Sequence, residues 1–172
     1  MNTSRQLLLI INPVSGIGSK DTIEPLVRSR LEPLGFEIST AYTCAHGDAT
    51  RLAGNAVDAG FYGVIAAGGD GTVNETAAAL CHSNTALGII PCGSGNGLAR
   101  HLGIPLDPLS AVKIIAENHI VKSDYGAVND MPFFCTFGVG FDAAVSSNFA
   151  RQHRRGKLAY IKSAISEYIK FH

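Results

Sequence analysis

A chain of 172 residues with 46% hydrophobic and 16% charged side chains can bury the core of one domain, or of one domain and part of a second. It is too apolar to remain a disordered tail. Lysine plus arginine and aspartate plus glutamate both number 14, so the overall charge gives no reason to expect a nucleic-acid partner. That zero is unevenly built: residues 1–150 carry 8 basic and 13 acidic side chains, a net of −5, while residues 151–172 carry 6 basic side chains and one acid, Glu167, a net of +5. The 19 glycines follow no collagen-like period and belong to local turns. Cys44, Cys81, Cys92 and Cys135 form no CxxC pair, so reduced, mostly buried thiols are expected rather than a disulfide framework or a zinc site. The apolar run at residues 7–11 is too short for the core of a signal peptide, and no stretch approaches a membrane span. A cytoplasmic location is the expectation, with association at a membrane surface left open.

Apolar runs and helical patterns alternate from the start of the chain. Residues 7–11 read as a buried strand and 22–31 as a helix that tolerates Pro25 in its first turn. Residues 36–42 alternate as a strand, 48–59 follow as a helix, and 64–67 form a short strand leading into Gly68-Gly69-Asp70-Gly71. The next helix is predicted over 72–80, with Thr72 and Glu75 at the spacing of a capping box. A strand at 87–91, a glycine-rich turn at 92–97 and a short helix at 98–102 come next. Asp107-Pro108 then opens a helix as N-cap and first-turn proline, ending near Asn118. This order predicts an open, mainly parallel α/β sheet with helices on both faces over residues 1–120. From residue 121 the pattern changes to antiparallel strands at 121–128 and 133–137 around the turn signal Asn129-Asp130. Helical patterns follow at 141–148, where Asp142 suits an N-cap, and at 158–171. Residues 121–172 therefore read as the beginning of a β-rich second domain.

Three polar, glycine-containing turns, at 12–18, 68–72 and 92–97, follow three predicted parallel strands. Ligands of open parallel sheets sit beyond the carboxyl ends of the strands, and helix N-termini there offer unpaired N–H groups to phosphate. Any one of these turns could simply close a strand-to-helix connection; three on one edge favour a phosphate site. Asp70 is the most informative side chain, because a carboxylate among such amides repels phosphate unless a cation bridges them or the carboxylate takes a proton from an attacking hydroxyl. If the full-length protein is an enzyme, replacing Asp70 by asparagine is expected nearly to abolish turnover while leaving the fold intact.

The strings Asn12-Pro13-x-Ser15-Gly16, Gly68-Gly69-Asp70-Gly71-Thr72-x-Asn74-Glu75 and Pro91-x-Gly93-Ser94-Gly95-Asn96-x-Leu98-Ala99 together resemble the diacylglycerol kinase catalytic domain, in a superfamily that includes sphingosine kinases and bacterial lipid kinases. The likeness continues through Asp48-Ala49-Thr50, Gly103-Ile104-Pro105, Gly138-x-Gly140-Phe141-Asp142-Ala143 and Gly156-Lys157-Leu158-Ala159-Tyr160. The second string alone is shared with NAD kinases and phosphofructokinases, whose N-terminal domain has the fold expected here.

The resemblance implies ATP and Mg²⁺ as cofactors and transfer of the terminal phosphate to a lipid hydroxyl. It assigns Asn12, Pro13, Val14, Ser15, Gly16 and Thr43 to the nucleotide, and Gly69, Asp70, Gly71, Thr72, Val73, Asn74 and Glu75 to a main-chain cradle for its phosphates. Ser94 would donate to nucleotide oxygens and Asn96 would shape its turn. Asp70 would act through Mg²⁺-bound water or polarise the acceptor hydroxyl, the main catalytic base being expected in the C-terminal part, and with Asp124 it would be a water-mediated partner of the metal; Asp124 reads equally well as the start of a turn at Tyr125-Gly126. His101 reads as an ordinary surface histidine. The acidic element that the family places late in its second domain has no match here, so the chain is expected to be the N-terminal part of a kinase and inactive alone. The basic residues Arg151, Arg154, Arg155 and Lys157 could meet an anionic membrane surface or form a solvated face, and a homodimer stays open. Two other readings compete: a soluble-substrate kinase related to NAD kinase, and a non-catalytic nucleotide-binding module.

Overall fold

The apolar run of the first strand is continuous because both of its faces are covered. In the computed structural model, which describes residues 5–16, 20–140 and 143–145, strand β1 (Arg5–Ile11) is buried from Leu7 onward, with Leu9, Ile10 and Ile11 fully enclosed. Strand β2 (Phe36–Tyr42) lies on one side of it and β3 (Gly63–Gly68) on the other, with β4 (Ala86–Pro91) beyond β3. All the pairings are parallel, in the order β2-β1-β3-β4. The period of two then sorts β1 residues between two cores. Leu7, Leu9 and Ile11 meet helix α1 (Ile23–Leu31) and, through Val112, helix α5 (Pro108–Glu117). On the opposite face, Leu8 and Ile10 meet Ala49, Ala53 and Ala56 of helix α2 (Asp48–Asp58) and Leu80 of helix α3 (Asp70–Leu80). The expected parallel sheet with helices on both faces is the observed one.

Strand order decides where a crevice opens. The chain leaves β1 for β2, then returns past β1 to form β3 on the other side. Such a reversal opens a crevice beyond the carboxyl ends of β1 and β3, since their following helices diverge onto opposite faces. Helix α1 packs on one face and α3 on the other. The first two glycine turns stand at that crevice, and the third stands one strand over.

Several local expectations are corrected. Helix α3 begins at Asp70, behind Gly69 as N-cap and without a side-chain capping bond. Thr72 is already the third helical residue, so the capping box with Glu75 does not form. Val121–Tyr125 is unpaired, and the antiparallel pair is short: β5 (Gly126–Val128) against β6 (Met131–Phe133). Asn129 and Asp130 both have positive φ, at 48° and 63°, so two residues suffice for the turn and β6 starts at Met131 rather than at 133. Cys44 and Cys135 are exposed, while Cys81 and Cys92 are partly buried, so the thiols are not mostly buried. Where expectation and structure agree, the chemistry is visible: Asp107 accepts the amide of Ser110 at 2.9 Å ahead of Pro108, and Asn118 ends α5 in the left-handed conformation.

The chain divides into two compact units, residues 1–135 and 136–172, and the hairpin goes with the first. In the second unit, residues 143–145 form a helical turn, with the Ala144 amide donating to Gly140 at 3.1 Å. Asp142, the rest of the helix expected at 141–148, the one at 158–171 and the basic residues after 150 lie outside the described residues.

Asp48 shows how one carboxylate sets a loop. Its Oδ2 accepts the amides of Cys44 at 2.8 Å and Ala45 at 3.0 Å, and Arg51 reaches its Oδ1 at 3.0 Å. The Cys44 amide, then Arg51 and the Ala45 amide, bring its pKa down from 3.8 to about 2. A carboxyl whose folded pKa is depressed adds stability above its unfolded pKa and loses it as pH falls through the folded value. Asp48→Asn should therefore unfold at lower urea concentration than wild type at pH 6. The gap should close as pH is lowered from about 4 to about 2, a trend that urea titrations followed by circular dichroism would check.

Candidate functional site

The three turns interlock before any ligand is considered. The first is built on Asn12. Its Oδ1 accepts the Val14 amide at 3.1 Å, and its carbonyl accepts the Ser15 hydroxyl at 2.9 Å, which folds the turn on itself. Its Nδ2 donates to the Thr72 hydroxyl at 2.9 Å, across the crevice between β1 and β3. Ser15 is buried, whereas Pro13 and Val14 are exposed. Gly16 has φ +64°, and a Cβ there would overlap the carbonyl oxygen of Cys92, so only glycine lets the first turn touch the third.

The second and third turns meet through Gly69 and Gly93. A Cβ on Gly93 would lie 2.7 Å from the Gly69 Cα, closer than any side chain allows. Helix α4 (Gly97–His101) follows the third turn. Asn96, at φ +54°, grips the Gly93 peptide from both ends: its Oδ1 accepts the Gly93 amide at 2.9 Å, and its Nδ2 donates to the Gly93 carbonyl at 2.8 Å. The role expected for Asn96, shaping the turn, is what its bonds perform.

Asp70 completes the interlock. Its Oδ2 accepts the amide of Asn96 at 2.8 Å, and its Oδ1 accepts that of Gly97 at 2.6 Å. Gly95 makes room for it, since a Cβ there would stand 2.7 Å from Oδ2. The carboxylate thus sits where α4 presents its first amides, and that positive end offsets its charge. The carboxylate is held by amides of the third turn and faces away from the open amides of its own helix.

The amides that stay open define the remaining chemistry. The first three amides of α3, those of Asp70, Gly71 and Thr72, make no hydrogen bond among the described residues, and neither do those of Ser94 and Gly95. They form two short rows of donors on adjoining turns, one at the N-terminus of an eleven-residue helix. Such an arrangement suits a polyanion. Cys92 packs beneath; burial pushes its thiol pKa up, opposed by the charge of Lys20.

Comparison with known proteins places the chain in a family. Residues 6–128 match the family model described as the diacylglycerol kinase catalytic domain. The chain belongs to this family. A diacylglycerol kinase of Staphylococcus saprophyticus is 39% identical over 127 residues, 73% of this chain and 42% of that protein. A probable YegS-like lipid kinase of Pseudomonas aeruginosa is 34% identical over 142 residues, 80% of this chain and 47% of that one. Among solved structures, a diacylglycerol kinase from Bacillus anthracis superposes with a TM-score of 0.69 at 30% identity, covering 75% of this chain and 48% of its own. The chain thus spans less than half the length of these relatives.

Within this lipid-kinase family member, the residues expected at the site fall into groups. Asn12, Ser15, Gly16, Gly69, Asp70, Gly71, Thr72 and Asn96 belong to the interlocked turns, with Ser94 exposed on the third. Thr43 is buried at the end of β2, its amide donating to Ile11 at 3.0 Å. Val73 departs from the expectation: its side chain is buried with Ala66, Ile89 and Ala99, and its amide donates to Gly69 within the helix, so it serves the core. Glu75 turns toward α2, where its carbonyl accepts the Thr50 hydroxyl at 3.1 Å and its carboxylate stands 3.7 Å from His46. Asn74 is exposed on α3. Asp124 is exposed in the unpaired stretch before β5, with no side-chain contact to the turns among the described residues. The sequence pattern leaves Gly93, Gly95 and Gly97 without individual roles, though their alternation is a signal that one side of the turn must admit a neighbour.

Asp70→Asn keeps the shape but presents an NH₂ group to one of two amides that need an acceptor. The variant should keep the fold but lose about 1–2 kcal/mol of stability, measured by urea unfolding at pH 7. A stability equal to wild type would mean that these bonds contribute nothing.

Proposed function

We propose that this chain is the nucleotide-binding part of an ATP-dependent lipid kinase, with the ATP phosphates held by the open amides of α3 and of the Ser94–Gly95 turn. The observation that carries this reading is Gly71. It occupies the second position of α3, its φ is not positive, and a Cβ there would meet nothing within 4 Å. Neither backbone strain nor packing asks for glycine, which is a poorer helix former than alanine by up to about 1 kcal/mol. Close approach of a ligand to the helix backbone is a reason to keep the space clear.

Phosphoryl transfer depends on positioning and on offsetting charge. The Asn12–Thr72 bond holds the crevice at one width, and the Asp70 clamp holds the two donor rows together. Each Asp70 oxygen receives one amide and retains a second acceptor direction, enough to polarise an acceptor hydroxyl. The described residues contain no cluster of three or more His, Cys, Asp or Glu that could hold a metal by itself. Asp70, whose oxygens each keep an acceptor direction, would hold Mg²⁺ together with the bound phosphates, and the ion would supply charge neutralisation. Residues 1–120 form the nucleotide domain in this proposal, and residues 121–172 begin the acceptor domain. No helix among the described residues is long and apolar enough to cross a membrane. The lipid would be met at a membrane surface, with Arg151, Arg154, Arg155 and Lys157 as proposed contacts.

Gly71→Ala separates folding from binding. It should match or exceed wild type in thermal stability while weakening ATP and ADP at least about tenfold in calorimetric titration. Unchanged affinity would remove the phosphates from α3. With labelled ATP, the isolated chain should transfer little phosphate to diacylglycerol vesicles. Robust transfer to lipid would overturn the expected inactivity, and transfer to NAD would favour a soluble-substrate kinase.

A further inference from the structure

We infer that Arg100 is a phosphate-gripping residue of this site, its guanidinium binding the outer phosphoryl oxygens of the nucleotide. The inference rests on the nucleotide reading above and names a contact additional to the backbone cradle. Arg100 lies on α4, and its side chain runs back toward the start of that helix, the direction helical side chains favour. There its Nε donates to the Gly95 carbonyl at 2.8 Å. This bond fixes the guanidinium against the peptide that borders Asp70, beside the open amides of Ser94 and Gly95.

Only one of the five N–H groups is taken up by that bond. The two Nη groups make no hydrogen bond or ion pair among the described residues, and they form the planar fork that matches phosphoryl oxygens. Asp70 stands next to Gly95 but makes no ion pair with Arg100, because its oxygens face the amides of Asn96 and Gly97. Other arginines are already committed: Arg28 to Glu24 and Glu32, Arg51 to Asp48, and Arg5 over the rings of Phe36 and Tyr62. Arg100 is held in place by a neutral carbonyl and keeps its full charge for a ligand. Residues 1–150 carry a net charge of −5, so a polyanion entering these turns gains from a fixed cation at their rim.

A brace for the turn would need only the Nε bond, and this separates the two roles experimentally. Wild type, Arg100→Ala and Arg100→Lys of the 172-residue chain would be titrated with ATP, ADP, AMP and adenosine in Mg²⁺ buffer, with melting curves recorded for each. Arg100→Ala should weaken ATP and ADP about tenfold and leave adenosine unchanged, with Arg100→Lys in between. ATP affinity of the variant should also fall less steeply with salt. Wild-type ATP affinity in a variant that melts early would reduce Arg100 to a brace and overturn the inference. An equal loss for adenosine and ATP would overturn it too. If Arg100→Ala fails to fold, Arg100→Lys decides, since a brace role predicts no dependence of its defect on phosphate number. If the wild-type chain binds none of these ligands, the nucleotide reading itself fails, and the inference falls with it.

Discussion

The carboxylate of Asp70 is the constraint on which the site depends. It belongs to the first turn of α3, yet its two oxygens close on the first amides of α4, twenty-six and twenty-seven residues later in the chain. One side chain thereby ties the loops after β3 and β4 into a single piece. The bonds are charge-assisted, and the positive end of α4 offsets the acidic charge. The carboxylate is thereby turned from the open amides of α3 toward those of Asn96 and Gly97. In the same arrangement the Asn96 and Gly97 amides are occupied, while those of α3's first turn and of Ser94 and Gly95 stay open.

The glycines do two different kinds of work in these loops. Gly16 and Gly93 are required by the protein itself, because the turns pass so close that a Cβ would collide with a neighbouring backbone. Gly95 gives way to the Asp70 carboxylate in the same sense. A Cβ on Gly71 would meet nothing within 4 Å, so the chain's own packing does not ask for glycine there. A glycine-rich motif is therefore a mixture of packing and binding positions, and only coordinates separate them. The distinction has a thermodynamic meaning: a side chain at the packing positions costs stability, whereas one at Gly71 meets no such barrier within the chain.

Much of the fold was legible because its signals are local. A parallel strand covered on both faces must be apolar throughout, so residues 7–11 announce β1, and Asp107-Pro108 announces the start of α5 by cap chemistry that needs no distant partner. Thr72 and Glu75 misled for the complementary reason. Their spacing is that of a capping box, but Thr72 accepts a bond from Asn12 and Glu75 faces α2, both competing partners from other parts of the chain. At the hairpin, Asn129-Asp130 correctly announced a turn, and its tightness followed from both residues adopting positive φ, which moved β6 two residues earlier than its apolar pattern suggested.

For the site, the sequence by itself determined which residue types stand at the carboxyl ends of the strands, and through its three motifs it determined the family. It could do so because strand-to-helix turns are contiguous and their ligand chemistry is carried by main-chain amides beside glycines. Tertiary structure alone decided which of those amides are open, where the Asp70 carboxylate goes, and that Val73 faces the core. It also turned Arg100 from one charge on a short helix into a cation fixed at the Gly95 carbonyl. These outcomes depend on contacts between loops that are adjacent in the sheet and distant in the chain. No spacing within one segment encodes such contacts, because they exist only once β1, β3 and β4 lie side by side.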